Sequence, residues 1–287
     1  MNVLFFDHHS LTFVILPLMI ACVAMHISAR VHWSLILRDL GVPLALIGSF
    51  IGFLGLVYNI GPTDNSVIGP ATGLLLVCLM YGGILASIGF FWGFRSEGSV
   101  NLTLRPTEIK WWGPSVSIMS FLAMQLVAAD SAADLSLFFS PIPLCVSAAT
   151  AFIALLISNR KNILQALSQS FLLSAMINVL IGIVYYYNDE IVPGVVIGLL
   201  GIVYSLSAYI CLYLLSFKLG DPKKLDPPLM NWHWLEISGF IIFMFLAPVS
   251  LAEYGLNIEA DEKEEKLELR IQELERKLDL LSQQTTQ

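Results

Sequence analysis

Amide, hydroxyl and thiol side chains set inside long apolar runs are the residues of this chain best placed to do chemistry. Asn178 is the deepest strongly polar residue, with Gln125 in an earlier run and Glu236 at the start of the last one. An amide in hydrocarbon must find a hydrogen-bond partner. Asn178 is therefore expected to face other helices, either as interhelical glue or as a contact for an ion or substrate. Ser49, Thr72, Cys78 and Ser205 complete the candidates for an ion or substrate pathway. Glu236 reads as an interface residue near Lys223 or Lys224. No serine-nucleophile elbow, phosphate loop, HExxH or CxxC stands in the chain, so no catalytic residue is assigned and an enzyme is not expected. The four cysteines scatter through apolar runs and suit neither a disulfide framework nor a zinc site. His8 and His9 beside Asp7 cannot complete a metal site alone, so the expectation is no metal and no cofactor. Asp64, Asp130, Asp134, Asp189 and Glu190 stand at the ends of apolar runs. Capping of free backbone N–H groups is the plainer reading of them, and a funnel for cations the sharper one.

The elements that must position these residues are membrane helices. The 287 residues are 56% hydrophobic and 13% charged, with mean hydropathy +0.76, against about 25% charge in a soluble domain. Runs of about 20 apolar residues span a bilayer. They fall at 11–29, 41–60, 66–94, 113–129, 135–157, 163–187, 191–217 and 235–254, which predicts an all-α polytopic membrane protein with eight spans. The ten lysines and arginines before residue 257 fall in one alternating set of connections: Arg30, Arg38, Arg95, Arg105, Lys110, Arg160, Lys161, Lys218, Lys223 and Lys224. The other set holds only acids. Basic loops resist translocation, so the N-terminus is expected outside, as is the tail after an even number of spans. This suits a multi-pass protein of a bacterial inner membrane with extracytoplasmic termini. The net charge of −7 argues against nucleic acid as a partner. The expected partners are the lipid bilayer and either further copies of the chain or another membrane protein.

The membrane part reads as one four-helix unit written twice. Ser10-Leu11-Thr12-Phe13 and Pro17 match Ser136-Leu137-Phe138-Phe139 and Pro143. Gly55 and Tyr58 match Gly182 and Tyr185, and Pro70 and Tyr81 match Pro193 and Tyr204. The order of matches divides the chain into a first four-helix repeat at 1–130, a second at 131–256 and a tail at 257–287. Units of four helices would be parallel repeats, an arrangement transporters use to build a midplane site. Glycines at four-residue spacing, such as Gly48 and Gly52 or Gly89 and Gly93, let helix backbones approach closely. In the tail, Leu267, Ile271, Leu274, Leu278 and Leu281 follow the 4-3-4-3 spacing of a coiled-coil seam and are the candidate oligomerisation residues. A solvated acidic helix is the alternative.

One stretch resembles a known family. Leu46-Ile47-Gly48-Ser49, Asp64, Ile68-Gly69-Pro70-Ala71, Leu75-Leu76 and Tyr81-Gly82 resemble the pore hairpin of the MotA/TolQ/ExbB proton-channel superfamily over residues 46–94. The family's large cytoplasmic domain has no counterpart, since 95–112 is too short. Cys78 and Leu79 stand where one branch carries threonines. The resemblance implies an integral membrane subunit of an ion-conducting or ion-driven complex. Two other readings stand beside it. One is a secondary transporter with a site between two parallel repeats. The other is a non-transporting membrane scaffold that recruits a partner through its tail.

Overall fold

The computed structural model describes residues 8–59, 68–96, 109–132, 134–158, 163–188 and 191–219, with residues 266, 270 and 271 of the tail. Seven α-helices follow one another: α1 His8–Ala29, α2 Trp33–Asn59, α3 Ile68–Ser96, α4 Trp112–Ala132, α5 Pro141–Ile157, α6 Ile163–Tyr187 and α7 Ile191–Leu219. A 3-10 turn, Leu135–Phe138, leads into α5. Among the described residues there is no strand. Six helices are long and apolar enough to cross a membrane: α1, α2, α4, α5 with its leading turn, α6 and α7. In α3, 29 residues long, the described apolar stretch is Val77–Gly93. The eighth expected span with Glu236 lies outside the described residues. So does the tail seam except Ile271, which is helical and exposed.

α2 and α7 are the most buried helices and form the centre, while α4 and α5 lie at the periphery. The most extensive pairings are α2 with α3 and α6 with α7. α4 packs mainly on α1, and α5 mainly on α6. Tyr209, Tyr213, Phe50 and Phe217 are among the largest fully buried side chains, all on α2 or α7.

Among the described residues, Lys110 and Lys218 meet beside the end of α1. Lys110 N–H donates to Ser28 O at 3.4 Å, and Lys218 Nζ donates to Ile109 O at 2.6 Å above the Trp111 ring. α1 ends on Arg30, whose φ of 50° is left-handed and whose N–H closes on His26 O at 3.0 Å. An αL residue satisfies an orphan carbonyl at a helix end, although glycine does so at lower cost.

Two boundaries differ from the sequence expectation. The second span was expected from residue 41, with Arg38 in a loop, but α2 starts at Trp33. Buried Ile36, Leu37 and Leu40 carry its apolar face across Arg38 and Asp39, so two charges enter the helix. Pro43 also lies within α2. It lacks the N–H that would bond the carbonyl of Asp39 four residues earlier. At the other end, the α5 helix proper begins at Pro141, because prolines 141 and 143 favour a first turn. The non-helical backbone before it needs partners if it sits at membrane depth. Tyr58 Oη donates to Leu137 O at 2.9 Å. Tyr204 Oη donates to Phe138 O and accepts from Ser140 N–H at 3.3 Å. Asp134 accepts from Ser136 N–H at 3.0 Å, and that bond holds its carboxyl below the usual carboxylate range.

Candidate functional site

The candidate site begins at Asp39, a carboxylate on a membrane helix with 4% of its surface exposed. Asp39 stands six residues, about 9 Å, from the start of α2. In a helix about 40 Å long this is near the edge of a ~30 Å hydrocarbon layer, not its centre. Arg38 folds back onto it, with Nε 2.6 Å from Oδ1 and a terminal nitrogen 3.2 Å from Oδ2. Tyr213 of α7 donates to Oδ2 at 2.6 Å. A charge at a membrane helix costs about 2.5–3.5 kcal/mol at the span centre on insertion scales, and it is placed where it pairs or acts. This one has a cation and a phenol, so its charged form is compensated.

From Tyr213 a polar stripe runs along α7. Gly201, Ser205, Tyr209 and Tyr213 are spaced by four residues, which puts them on one face of a helix, about 6 Å apart per step. Ser205, Tyr209 and Tyr213 are all buried. The Tyr209 and Tyr213 rings stack at 6.4 Å with 22° between planes. At the middle of α7 the stripe meets α6. Ser205 Oγ lies 2.7 Å from Ser174 Oγ, and Ser174 Oγ lies 3.2 Å from Ser147 Oγ of α5. Ser174 also donates to Phe171 O at 2.8 Å. A serine has one proton and two lone pairs. While Ser174 donates to that carbonyl, Ser147 and Ser205 must both donate to it. If Ser174 rotates, it donates to one of them instead. The three hydroxyls therefore support more than one hydrogen-bond direction.

Asn178 stands one turn beyond Ser174 and is 0% exposed. Among the described residues, both its Nδ2 and its Oδ1 are without partners. It is pressed onto Gly201, where an added Cβ would lie 2.2 Å from Asn178 Cβ and 2.7 Å from Nδ2. Further along, α6 and α7 meet backbone to backbone: a Cβ on Gly182 would lie 2.4 Å from Gly194 O. The polar stripe thus runs from the basic end to the middle of the bundle, and glycine contact closes the other half.

The sequence candidates fall into two groups. Asn178 and Ser205 sit together on the α6–α7 stripe. Ser49 and Cys78 are buried on α2 and α3; a Cβ on Gly48 would lie 3.1 Å from Cys78 Sγ. Thr72 falls within α3. Sequence reasoning missed Asp39, Tyr209, Tyr213 and Ser174. The four-residue spacing on α7 was the signal for the tyrosines. For Asp39 it was the apolar face continuing through residues 33–40.

A separate cavity of about 540 Å³ lies between α4, α5, α6 and α7, reaching Ile51 of α2. Its wall is apolar except for a few groups. Gln125 Nε2 donates to Ser207 Oγ at 2.6 Å, and Ser147 and Tyr204 also line it. A smaller cavity of about 180 Å³ lies between α1, α2, α3 and α4, lined by Phe13, Gly48, Cys78 and Ser131 among others. Among the described residues no group of three or more His, Cys, Asp or Glu side chains converges as a metal site. Comparison with protein-family models, with curated proteins and with solved structures finds no match to the chain.

Proposed function

We propose that the chain is a proton-translocating subunit of an ion-conducting or ion-driven membrane complex. Its path from the basic end runs through Asp39, Tyr213, Tyr209, Ser205 and Ser174 to Asn178. The observation that carries this reading is the buried Asp39, bonded by Tyr213 at the foot of a row of buried polar side chains. Asp39 would stand at the entry of the path at one face. The hydroxyls, with water where they do not touch, would pass it inward by reorienting. A proton suits this line better than a metal cation. Its inner oxygens are neutral, and Gly201 closes the space beside Asn178, so a dehydrated cation would meet too few ligands there to replace its hydration shell. The glycine-packed far half of α6–α7 explains why such a chain would work within a complex: a partner or a helix movement must open that half.

The remaining architecture of this reading is eight spans in two parallel repeats, with the termini outside and a tail that assembles as a coiled coil. The repeat is supported by the way α2 packs most on α3 and α6 most on α7, equivalent helices of the two halves. The resemblance of 46–94 to proton-channel hairpins suits a subunit of such a complex, although it would put the path in the hairpin and not along α6–α7. A transporter with a midplane site at Asn178 needs a cavity there; among the described residues the cavity of about 540 Å³ lies on Gln125.

The test is proton flux into vesicles holding the protein together with whatever co-purifies, under an imposed potassium diffusion potential and read by an interior pH dye. Wild type should exceed empty vesicles, and Asp39→Asn should lose at least about tenfold, or about 1.4 kcal/mol of barrier. Wild type equal to empty vesicles, or to Asp39→Asn, would remove the proposal and leave the scaffold reading.

A further inference from the structure

We infer that the 540 Å³ cavity between α4, α5, α6 and α7 is a binding site for a neutral membrane amphiphile: an apolar body carrying one hydroxyl or N–H donor. Its volume is within the range of small-molecule sites, about 300–1,000 Å³. Among the described residues no charged side chain lines it, so a phosphate or ammonium group would be stranded without a counter-charge. The rim residues Leu122, Leu126, Phe139 and Leu144 are exposed, which opens the cavity sideways, where a bilayer would supply the ligand.

One polar group in the wall lacks what it needs. Gln125 uses its Nε2 on Ser207, and Ser207 spends its own proton on Val203 O at 2.5 Å. Gln125 Oε1 accepts no hydrogen bond from any described residue, and Gln125 lines this mostly apolar cavity. An amide oxygen in such surroundings costs free energy until a donor reaches it. Gln125 lies seven residues, about 10 Å, inward from the end of α4. A phospholipid headgroup stays at the interface, so a donor at this depth belongs to a molecule that sinks wholly into the membrane. A long-chain or isoprenoid alcohol has this chemistry. The site does not depend on the proton path, although Ser147 borders both.

The experiment is photolabelling in phosphatidylcholine nanodiscs with a diazirine-bearing long-chain alcohol, beside a diazirine-bearing phosphatidylcholine. The alcohol probe should label α4, α5 and α7 peptides saturably, and excess unlabelled alcohol should compete. Gln125→Leu should weaken competition about tenfold, or about 1.4 kcal/mol. Ser207→Ala breaks the α4–α7 hydrogen bond but keeps the Gln125 oxygen, so it should retain labelling. Ala148→Phe should block the cavity. All variants are first shown to match wild type in elution and melting, and competition in wild type needs no variant. No saturable labelling, equal labelling by the phospholipid probe, or equal loss in Ser207→Ala and Gln125→Leu would each overturn the inference.

Discussion

The α2–α3 and α6–α7 pairs are the two most extensive helix pairings of the molecule, yet they are held together by different means. In α2–α3 the contact is made by small residues and backbone. A Cβ on Gly82 would lie 2.3 Å from Ala45 Cβ and 2.5 Å from Gly41 O, and one on Gly89 would lie 2.5 Å from Arg38 N. In α6–α7 glycines meet only in one half, and the centre is joined by Ser174, Ser205 and Asn178. Hydrocarbon gives no hydrophobic drive between helices, so close packing or interhelical hydrogen bonds must hold them. The first pair relies on packing. The second keeps polar groups where packing would have sufficed, and Asn178 even leaves two atoms unpartnered. Buried polar groups without partners call for an explanation, and the proposed path supplies one.

The largest effect should come from breaking the packed pair. Gly82→Ala forces its Cβ into a neighbouring backbone, where overpacking costs about 1–3 kcal/mol. Gly83→Ala is its control, because that Cβ meets nothing within 4 Å. Thermal unfolding in detergent should show a clear drop for the first and none for the second.

A comparable loss is expected from Tyr213→Phe, which strips the donor from a buried carboxylate; hydrogen bonds to charged groups contribute about 1.5–3 kcal/mol. That variant should both melt earlier and conduct fewer protons. A variant that melts earlier with unchanged flux would make Tyr213 purely structural.

The smallest effect concerns Asp134, which is solvent-exposed and whose pKa is lowered in the fold by Ser136 N–H. A depressed folded value means its contribution is present above the unfolded value of 3.8 and is lost as pH falls through the folded one. Between neutral and mildly acidic pH, Asp134→Asn should therefore melt slightly below wild type. The gap should close only in strong acid.

Much of the bundle was legible because hydrophobic length is a local property. α1, α3, α4, α6 and α7 lie within a few residues of the runs read from composition. The start of α2 was not legible. Arg38 and Asp39 followed by Gly41 and Pro43 look like a loop, and only tertiary pairing with Tyr213, 174 positions away, makes a charge there tolerable. Asn178 stood out in sequence as an amide among apolar residues. Ser174 did not, because a serine in a membrane helix is ordinary until Ser205 is found beside it. The glycines of 46–94 drew attention to α2–α3, where Gly48, Gly82 and Gly89 are closely approached but a Cβ on Gly52 would meet nothing within 4 Å. Ser49 and Cys78 are accordingly buried in the packed pair.

The central claim is that protons follow the α6–α7 stripe and not the α2–α3 hairpin, and two single-hydroxyl deletions compare them directly. Proton flux in the same vesicles should fall at least about tenfold, about 1.4 kcal/mol, in Ser205→Ala, and stay within about twofold of wild type in Ser49→Ala, about 0.4 kcal/mol. Retained flux in Ser205→Ala with loss in Ser49→Ala would contradict the account and return the path to the hairpin.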